Sequence, residues 1–463
     1  MCTWQLCGAT HRMPRVALAG MVLLGLVAPE ARGSSPGFRR PNLLVVTFDT
    51  TRADRLGCYG YDQVRTPNID RLAREGTRFE RAYSQAAQTL PSHASLFTGF
   101  YPATLNVLSN GQKVSEEIST LAEMLRQAGY RTGAILGAAP LKRTYNLDQG
   151  FQTYDDRFRS RAPAKAFNWA LRLFTNGRAN ISLSRPAHRV AARAVAWLEA
   201  AARRPEPFFL WLHFFDPHEP YVAHPDLSRP KLKRQRGPLN RHGVKERNYV
   251  SEIEFADHHL GRVLRRLDTL KLTADTLTIF TADHGESLGE HGYRGHRREV
   301  YESIIRVPLI VRLPGRVAAG VLEPTPAMLI DVVPTALRLL RLPTGGSRFE
   351  GRDLFNLDEG PPRTVYSAAV KFFTRAPTRI AEIRGDEKFV FFPRTGRSAM
   401  FNLRVDPQER HNLLEPPGLP NVDVAARRAA LQRWWHERDR YDPEELRLSE
   451  EDLAHLESLG YVR

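Results

Sequence analysis

Cysteine is scarce in this chain of 463 residues, which contains only Cys2, Cys7 and Cys58. Three cysteines exclude a disulfide-stapled scaffold and any zinc module built on four cysteines. Long hydrophobic runs are also missing, because the apolar run from Val16 to Ala28 is too short to cross a bilayer comfortably. Charged residues make up 25% of the sequence, which argues against both a membrane bundle and a disordered tail. The length allows two or three domains, or one large α/β domain with an appendage.

The first 31 residues have the pattern of a signal peptide. Arg12 and Arg15 precede the apolar run, and a short segment with the small residue Ala31 follows it. We therefore expect residues 1–31 to be a signal peptide and the protein to be exported to the periplasm or the extracellular space. The alternative is an uncleaved membrane anchor.

Basic residues outnumber acidic ones by 67 to 51, which gives a formal net charge of +16. Such an excess suits an anionic substrate or surface, although an arginine-rich genome would also produce it. The positive charge is densest between Arg229 and Arg247, where Pro and Gly residues predict a solvated loop. Because no zinc-finger spacing or aromatic RNA-binding motif accompanies it, we expect no nucleic-acid partner. We expect no stable membrane partner either, and the oligomeric state is left open.

Short, fully apolar runs alternate with helical patterns up to about residue 345, which predicts an α/β catalytic domain over residues 40–345 with a large, mostly parallel central sheet. The predicted strands are Leu43–Phe48, Thr132–Leu136, Phe208–Phe215, Thr276–Thr281 and Val307–Val311. The predicted helices are Pro67–Glu75 (with Thr66 and Gly76 as caps), Glu117–Gln127, His188–Ala202 and Tyr249–Leu267. Residues 360–463 are predicted to form a small antiparallel sheet and closing helices, with strands Val365–Val370, Arg379–Arg384, Lys388–Phe392 and Ala399–Leu403 and helices Val422–Arg438 and Ser449–Leu459.

Acidic residues follow two of the predicted parallel strands. Asp49 ends the first strand, and Asp283 with His284 ends the fourth. Ligands of open parallel sheets bind at the carboxyl ends of the strands, and carboxylates with an adjacent imidazole suit a divalent ion. The simpler interpretation is that each aspartate only caps the helix that follows it.

The segment Thr89–Gly99 (TLPSHASLFTG) carries a candidate nucleophile. Pro91 is predicted to stand at the first position of a helix, which places Thr89 just before the helix, where free N–H groups favour an anion. A hydroxyl bound there to a divalent ion can lose its proton and attack a tetrahedral anionic ester.

Several stretches, in the right order over nearly the whole mature length, resemble the sulfatase family of the alkaline-phosphatase superfamily. They are Pro41–Gly60, Thr66–Phe79, Thr89–Gly99, Phe208–Tyr221 (FFLWLHFFDPHEPY), Thr281–Gly292 (TADHGESLGEHG), Tyr301–Val311 and Phe401–Leu413. The resemblance implies an alkaline-phosphatase-like fold and hydrolysis of a sulfate or phosphate ester.

The nucleophile position departs from the family pattern. Family sulfatases carry Cys or Ser in a C/S-x-P-x-R signature, and this residue is oxidised to formylglycine, whereas this chain has Thr89 there and His93 at the arginine position. Threonine cannot yield that aldehyde, so no formylglycine is expected. Thr is the nucleophile in related phosphodiesterases and nucleotide pyrophosphatases, which tilts the expected substrate modestly toward phosphorus.

The metal set implied by the resemblance also departs from the family. Thr50 replaces a second aspartate, which leaves Asp49, Thr89, Asp283 and His284 as ligands. This mixture suits Zn²⁺ or Mn²⁺ better than an all-oxygen Ca²⁺ cage, although Ca²⁺ and Mg²⁺ stay open. One ion is expected, and a histidine-rich site could hold a second.

The substrate side lacks the two lysines of the family. The family's lysine-bearing motif is replaced by Gly137–Pro140, and whether Lys142 compensates is open. His296 or Arg297 stands near the later lysine position, and His218 matches the family's substrate-side histidine. The predicted catalytic residues are Thr89, His93, His218 and His296, and the predicted substrate-binding residues are His218, His296 and Arg297. A purely structural role is the alternative for each of these histidines.

The signal-peptide pattern and the resemblance together predict an exported, metal-dependent hydrolase with an anionic ester as its substrate. The alternative from another class is a non-catalytic anion-binding protein that has kept the sulfatase fold. A transferase that passes the group to a sugar or lipid is a lesser variant. Such enzymes usually carry several membrane helices before the catalytic domain, and this sequence has none. The organic part of the substrate is left open.

Overall fold

The computed structural model describes residues 40–158, 184–224, 241–344, 346, 348–356, 362–371, 374–416, 422–442 and five positions between 448 and 456. The expected signal peptide therefore lies outside the described residues, as do most of the loop before Arg241 and most of the predicted helix Ser449–Leu459. Within the described part of the chain, every helix is too short or too polar to traverse a bilayer.

A large mixed sheet forms the centre of the fold and confirms the predicted fold class. Its strands run in the order β10-β2-β9-β6-β1-β5-β3-β4, and β11 pairs with β2. Their bounds are β1 Asn42–Phe48, β2 Thr77–Tyr83, β3 Arg131–Ile135, β4 Thr153–Asp155, β5 Phe208–Phe214, β6 Thr276–Ala282, β9 Arg306–Arg312, β10 Val321–Glu323 and β11 Ala327–Met328. A separate two-stranded hairpin pairs β7 (Ser287–Leu288) with β8 (Arg294–Gly295).

The strand at Val307–Val311 exists, but the expectation that it runs parallel to its neighbours is wrong. Strand β9 is antiparallel to both β6 and β2. The link from β6 to β9 contains the small β7–β8 hairpin, a 3-10 turn at Glu290–Gly292 and the one-turn helix α7 (Glu302–Ile305), not a long crossover helix. The chain therefore re-enters the sheet from the edge at which β6 ends and runs back.

Helices cover both faces of the central sheet. Alternate residues of β1 point to opposite faces, with Leu43 and Val45 in one core cluster and Leu44, Val46 and Phe48 in the other. The first cluster includes α2 (Thr89–Thr98), α4 (Leu121–Gln127) and α8 (Val332–Leu339); the second includes α1 (Pro67–Glu75), α5 (Ala187–Ala201) and α6 (Arg241–Thr269). The short helix α3 spans Pro102–Leu105.

Helix starts differ from the sequence predictions for local reasons. Helix α4 begins at Leu121 rather than Glu117, because Thr120 and Glu123 form a capping box. Helix α6 begins at Arg241, so the end of the basic segment is helical rather than a loop. Gly76 follows α1 in an extended conformation with φ −144°, and a Cβ there would meet the carbonyl oxygen of Val311 at 2.4 Å. Close approach of β9, not a left-handed turn, is what requires glycine at this position.

The predicted C-terminal strands form a separate antiparallel sheet, as expected. It runs in the order β12-β13-β14-β15, with bounds Thr364–Val370, Pro377–Arg384, Glu387–Phe392 and Arg397–Asn402. One face packs toward the central sheet through Val365, Ile383 and Val390, and the other packs against α9 (Val424–His436) through Phe391 and Leu431. The division at residues 345–360 into two folding domains stays a prediction.

Candidate active site at the strand ends

The register of the central sheet brings the predicted acidic residues to one edge. Strand β1 lies between β5 and β6 in parallel, and Phe48 pairs with Phe214 on one side and Ala282 on the other. Asp49 and Asp283 therefore leave their strands side by side. Both aspartates are fully buried.

Asp49, Asp283 and His284 form a group whose ligand atoms all lie within 4.8 Å of one another. Oδ1 of Asp283 accepts hydrogen bonds from the backbone N–H groups of Thr50 (3.1 Å) and His284 (2.8 Å), which leaves Oδ2 for another partner. Nδ1 of His284 donates to the Gly285 carbonyl at 3.0 Å, so the lone pair of the neutral ring is on Nε2. This nitrogen lies 3.5 Å from Oδ2 of Asp283.

Thr89 is the first residue of α2, not the residue before the helix, and Pro91 is the third helical residue, where its missing N–H costs nothing. The sequence prediction was therefore wrong by two positions. The hydroxyl of Ser92 donates to the Asp283 carbonyl at 2.6 Å and ties α2 to the end of β6. Asn110 accepts the N–H of Leu90 at 2.8 Å and holds the first turn.

Several polar atoms at this edge are buried and have no hydrogen-bond partner among the described residues. They are both carboxylate oxygens of Asp49, the hydroxyl of Thr89, Oδ2 of Asp283 and Nε2 of His284. A buried polar group without a partner costs about 1–3 kcal/mol. Carboxylate, hydroxyl and imidazole atoms together suit a divalent cation, so the donor set fits the predicted metal ligands.

The electrostatics favour the same interpretation. Burial raises the pKa of Asp49 well above its ordinary value, and the charge of Asp283 raises it further. Burial also acts to raise the pKa of Asp283, but His284, His93 and His213 outweigh it and lower that pKa. A bound cation would stabilise both carboxylates in their ionised form.

His213 belongs to the site and was missed by sequence analysis. It lies on β5 opposite Thr47, and its Nε2 is 3.4 Å from Oδ2 of Asp49. Both ring nitrogens are buried without a hydrogen-bond partner among the described residues. The available signal was a single imidazole in the otherwise apolar strand Phe208–Phe214.

His93 lies behind the nucleophile and uses both ring nitrogens. Nδ1 donates to the Thr89 carbonyl at 2.8 Å, and Nε2 is 3.1 Å from the Thr47 hydroxyl. Burial lowers the pKa of His93 to about 3, so the ring is neutral. Its Nδ1 is also 3.8 Å from Oδ2 of Asp283, and it forms a second candidate metal group with His213 and Asp283. The observed contacts favour a structural brace for Thr89.

His218 and His296 lie together beside the metal-ligand group. Their ring centroids are 5.1 Å apart, and the ring of His296 is 4.5 Å from that of His284. Nδ1 of His218 donates to the Glu219 carbonyl at 2.6 Å, and Nδ1 of His296 is 3.2 Å from Oε1 of Glu286, which the sequence analysis did not single out. Burial lowers the pKa of His218 to about 4 and that of His296 well below its ordinary value.

The remaining predicted residues have different surroundings. Arg297 follows His296 directly, is half-buried and has a φ of 95°. Lys142 forms an ion pair with Asp452 at 3.0 Å, so its charge is directed at the C-terminal segment.

The loop after Asp49 is held by Tyr249, whose hydroxyl donates to the Thr50 carbonyl (2.7 Å) and accepts the N–H of Arg52 (3.0 Å).

Comparison with known proteins gives the family. The family model described as Sulfatase matches residues 41–342, and the model described as N-sulphoglucosamine sulphohydrolase, C-terminal, matches residues 289–433. The uncharacterized sulfatase YidJ of Escherichia coli K12 is 28% identical over 429 residues, covering 81% of this chain and 84% of the relative. The choline-sulfatase of Rhizobium meliloti is 27% identical over 446 residues, covering 83% and 84%.

Solved structures agree with this fold. Ps i-CgsB in complex with k-i-k-neocarrahexaose is similar with a TM-score of 0.69 and 20% identity, covering 91% of this chain and 98% of that one. The phosphonate monoester hydrolase of Agrobacterium radiobacter is similar with a TM-score of 0.63 and 22% identity, covering 85% and 94%. The family match, the sheet order and the strand-end site together establish that the chain belongs to the sulfatase family of the alkaline-phosphatase superfamily and is a hydrolase of sulfate or phosphate ester bonds.

Proposed function

We propose that this protein is an exported, metal-dependent hydrolase that uses Thr89 as its nucleophile on an anionic sulfate or phosphate ester. The single observation that supports this most is the hydroxyl of Thr89, which is fully buried, lacks a hydrogen-bond partner among the described residues and stands at the start of α2. Asp49, Asp283 and His284 are the proposed protein ligands of the ion, and Thr89 completes the set.

A divalent cation held by Asp49, Asp283, His284 and Thr89 would supply positive charge that favours loss of the Thr89 hydroxyl proton and balances the negative charge of the transition state. His213 is a further candidate ligand because it faces Asp49. The ligand set favours Zn²⁺ or Mn²⁺ over an all-oxygen ion.

The reaction then follows from the positions of the chain's own groups. The Thr89 oxygen attacks the phosphorus or sulfur atom and forms a threonine ester, while the bond to the leaving oxygen breaks. The positive end of the α2 dipole lies at Thr89 and favours the charge of the anionic group. Water subsequently cleaves the bond between the threonine oxygen and the phosphorus or sulfur atom and restores the hydroxyl.

His218 and His296 are the proposed substrate-side residues, with Arg297 next to them. Because Nδ1 of His218 is bonded to a carbonyl oxygen, the proton that this ring can transfer to the leaving oxygen is carried on Nε2. Burial keeps the ring neutral, so the negative charge of the bound ester is what favours its protonation. Arg297 is the permanent cation among the three predicted substrate-binding residues.

Threonine favours a phosphate ester over a sulfate ester. Formylglycine carries a second hydroxyl on the carbon that bears the ester, and it expels sulfate through that hydroxyl. A threonine ester has no such group, so water must attack the phosphorus or sulfur atom directly. This is ordinary chemistry for phosphoenzymes. The similarity to a phosphonate monoester hydrolase supports the same choice, while the sulfatase relatives support the sulfate ester.

The test compares wild type with two variants of the proposed nucleophile on purified full-length protein. Aryl phosphate, aryl phosphodiester and aryl sulfate hydrolysis are measured beside metal content for wild type, Thr89→Val and Thr89→Ser. Valine keeps the shape without the hydroxyl, so we expect turnover to fall by roughly 10³-fold or more, whereas serine keeps measurable turnover. Mass spectrometry of the Thr89 peptide should give unmodified threonine in the resting enzyme and a phospho- or sulfo-threonine after rapid quenching.

Thr51→Val is the matched control, because Thr51 is buried in the adjacent loop and its hydroxyl contacts only the Asp49 carbonyl among the described residues. Turnover that survives Thr89→Val would exclude Thr89 as nucleophile. Metal-free protein that is inert on all three esters would favour the anion-binding alternative.

A further inference from the structure

A second cleft lies in the C-terminal part of the molecule, between α9 and the outer face of the antiparallel sheet. Its volume is about 550 Å³, within the range of small-molecule sites. The floor is apolar and includes Phe391, Pro393 and Trp435, while Arg375, His436 and Arg440 line its polar part. No carboxylate is among the described residues that line this cleft.

The two arginines of the cleft form no ion pair with an acidic side chain among the described residues. Arg375 is exposed and has no ion pair or hydrogen bond with any described residue. Arg440 is held by the Trp435 carbonyl, and its guanidinium lies 5.5 Å from the centre of the Trp435 ring. Both arginines line the same cleft, where burial and then the charge of Arg375 lower the pKa of Arg440.

Two arginines near this cleft are neutralised by contrast: Arg379 of β13 pairs with Glu299 at 2.8 Å, and Arg427 of α9 pairs with Glu382 at 2.7 Å. Two like charges at an apolar cleft repel each other unless an anion lies between them. An apolar floor below a cationic rim is complementary to a ring-bearing molecule with one negative group.

The cleft lies at the end of the sheet that borders the active-site loops. Pro377, which also lines it, pairs with Val370, and the Val370 carbonyl accepts the side-chain N–H of Gln88, the residue before Thr89. The Thr378 hydroxyl donates to the Arg298 carbonyl at 3.1 Å, two residues after His296. The chain after Arg440 turns to another surface, because the N–H of Tyr441 donates to the Thr104 carbonyl at 3.0 Å.

We propose that this cleft is a binding site for a small organic anion, with the apolar ring on the Phe391, Pro393 and Trp435 floor and the negative group between Arg375 and Arg440. The site is separate from the strand-end metal ligands. Its occupant is either the distal part of the ester substrate, which rests on the proposed function above, or a free ligand of the same chemistry.

The test measures binding without turnover. Isothermal titration of full-length protein with 2-naphthalenesulfonate, which contains no ester, should give a saturable site in wild type and in Thr89→Val alike. Arg375→Gln and Arg440→Gln should each raise the dissociation constant by about tenfold, the effect of losing one charge-assisted contact. Arg433→Gln is the matched control, because Arg433 is an exposed arginine of α9 that does not line the cleft.

Naphthalene-2-sulfonamide serves as the neutral analogue and should bind at least about tenfold more weakly than the sulfonate for the same reason. Equal binding of the two, or unchanged sulfonate binding in both cleft variants, would overturn the proposal. Competitive inhibition of aryl-ester hydrolysis that is lost in Arg375→Gln would identify the occupant as the distal part of the substrate. Binding without any effect on hydrolysis would identify a free ligand. Because binding is measured separately, an inactive enzyme would count against the proposed function alone.

Discussion

Two clusters of buried charged groups in this molecule differ in how their charges are balanced. At the strand ends, Asp49, Asp283 and His284 have orphaned polar atoms directed at a common point. In the C-terminal part, Lys388 is fully buried between Glu302 and Glu409, at 3.0 Å and 2.7 Å. The first cluster lacks a cation of its own, and the second contains one.

The difference separates a candidate metal site, whose acidic groups have no Lys or Arg partner among the described residues, from a cluster in which the charges of a lysine and two glutamates balance one another. The two glutamates outweigh the effect of burial and raise the pKa of Lys388, so the lysine stays charged. Burial and Glu302 raise the pKa of Glu409 to about 7, although Lys388 opposes this. The Lys388 cluster connects β14 to α7 and so fixes the C-terminal sheet against the loop that carries His296.

The largest effect is expected for Asp283→Asn at the strand ends. The amide keeps the oxygen that accepts two backbone hydrogen bonds but removes the charge, so bound metal should be lost. Turnover should fall by at least about 10³-fold, since the ion contributes several kcal/mol of charge stabilisation. Elemental analysis and kcat/KM measure both effects. Asp54→Asn is the control, because the Asp54 carboxylate pairs with Arg52 in the loop after Asp49, and this variant should keep the bound metal. Full metal content in Asp283→Asn would contradict the assignment of Asp283 as a ligand.

Lys388→Met should act on stability instead. It leaves Glu302 and Glu409 buried without their cation, so the free energy of unfolding should fall by about 3–5 kcal/mol. Urea denaturation measures the loss, and the folded fraction should retain metal and turnover. Combining it with Glu302→Gln and Glu409→Gln should restore much of the stability. An unchanged denaturation midpoint in the single variant would show that the ion pairs are dispensable.

Tyr249→Phe should weaken the site from outside the ligand set. Its hydroxyl bridges Thr50 and Arg52, and Thr50 has a left-handed φ of 49° while its N–H donates to Asp283. Loss of the bridge removes two buried hydrogen bonds worth about 1 kcal/mol each, and kcat should fall by about tenfold with weaker metal affinity. Tyr61→Phe, at a half-buried tyrosine, is the control. Identical metal titrations for wild type and Tyr249→Phe would remove Tyr249 from any positioning role.

The smallest effect concerns acid stability of the Arg52 loop. Burial acts to raise the pKa values of Asp54 and Glu290, but Arg52 outweighs it and lowers both to about 2. Because these folded-state values lie below the ordinary 3.8 and 4.5, the stabilisation is complete above about pH 4.5 and is lost as the pH falls toward 2. Thermal melts across this window should fall more steeply for wild type than for Asp54→Asn with Glu290→Gln. The effect is expected to be small because the Asp54 side chain is 47% exposed. Parallel curves of melting temperature against pH would mean that the ion pairs of Arg52 contribute nothing to stability.

The candidate site was predictable where it depends on local pattern. An acidic residue directly after an apolar strand places Asp49 and Asp283 at the carboxyl edge once the strands are parallel, and Thr89 was recognised from its motif. His213 was not predictable from the same rule, because it lies within a strand and reaches the site only through its register beside β1. The partner of Lys142 was not predictable either, because Asp452 lies far from it in the sequence and only the fold brings the two side chains together.

The sequence by itself determined most of the element types, the candidate ligands at the strand ends and the candidate nucleophile Thr89, because these depend on short-range periodicity and residue identity. Only the tertiary structure decided the reversed direction of β9, the position of His213 beside Asp49, the contact of His93 with the Thr89 carbonyl and the approach of Arg375 and Arg440 to one cleft. Each of these depends on which distant segments pack together. Burial and pairing, which set the charge and the partners of each group, arise only when those segments meet.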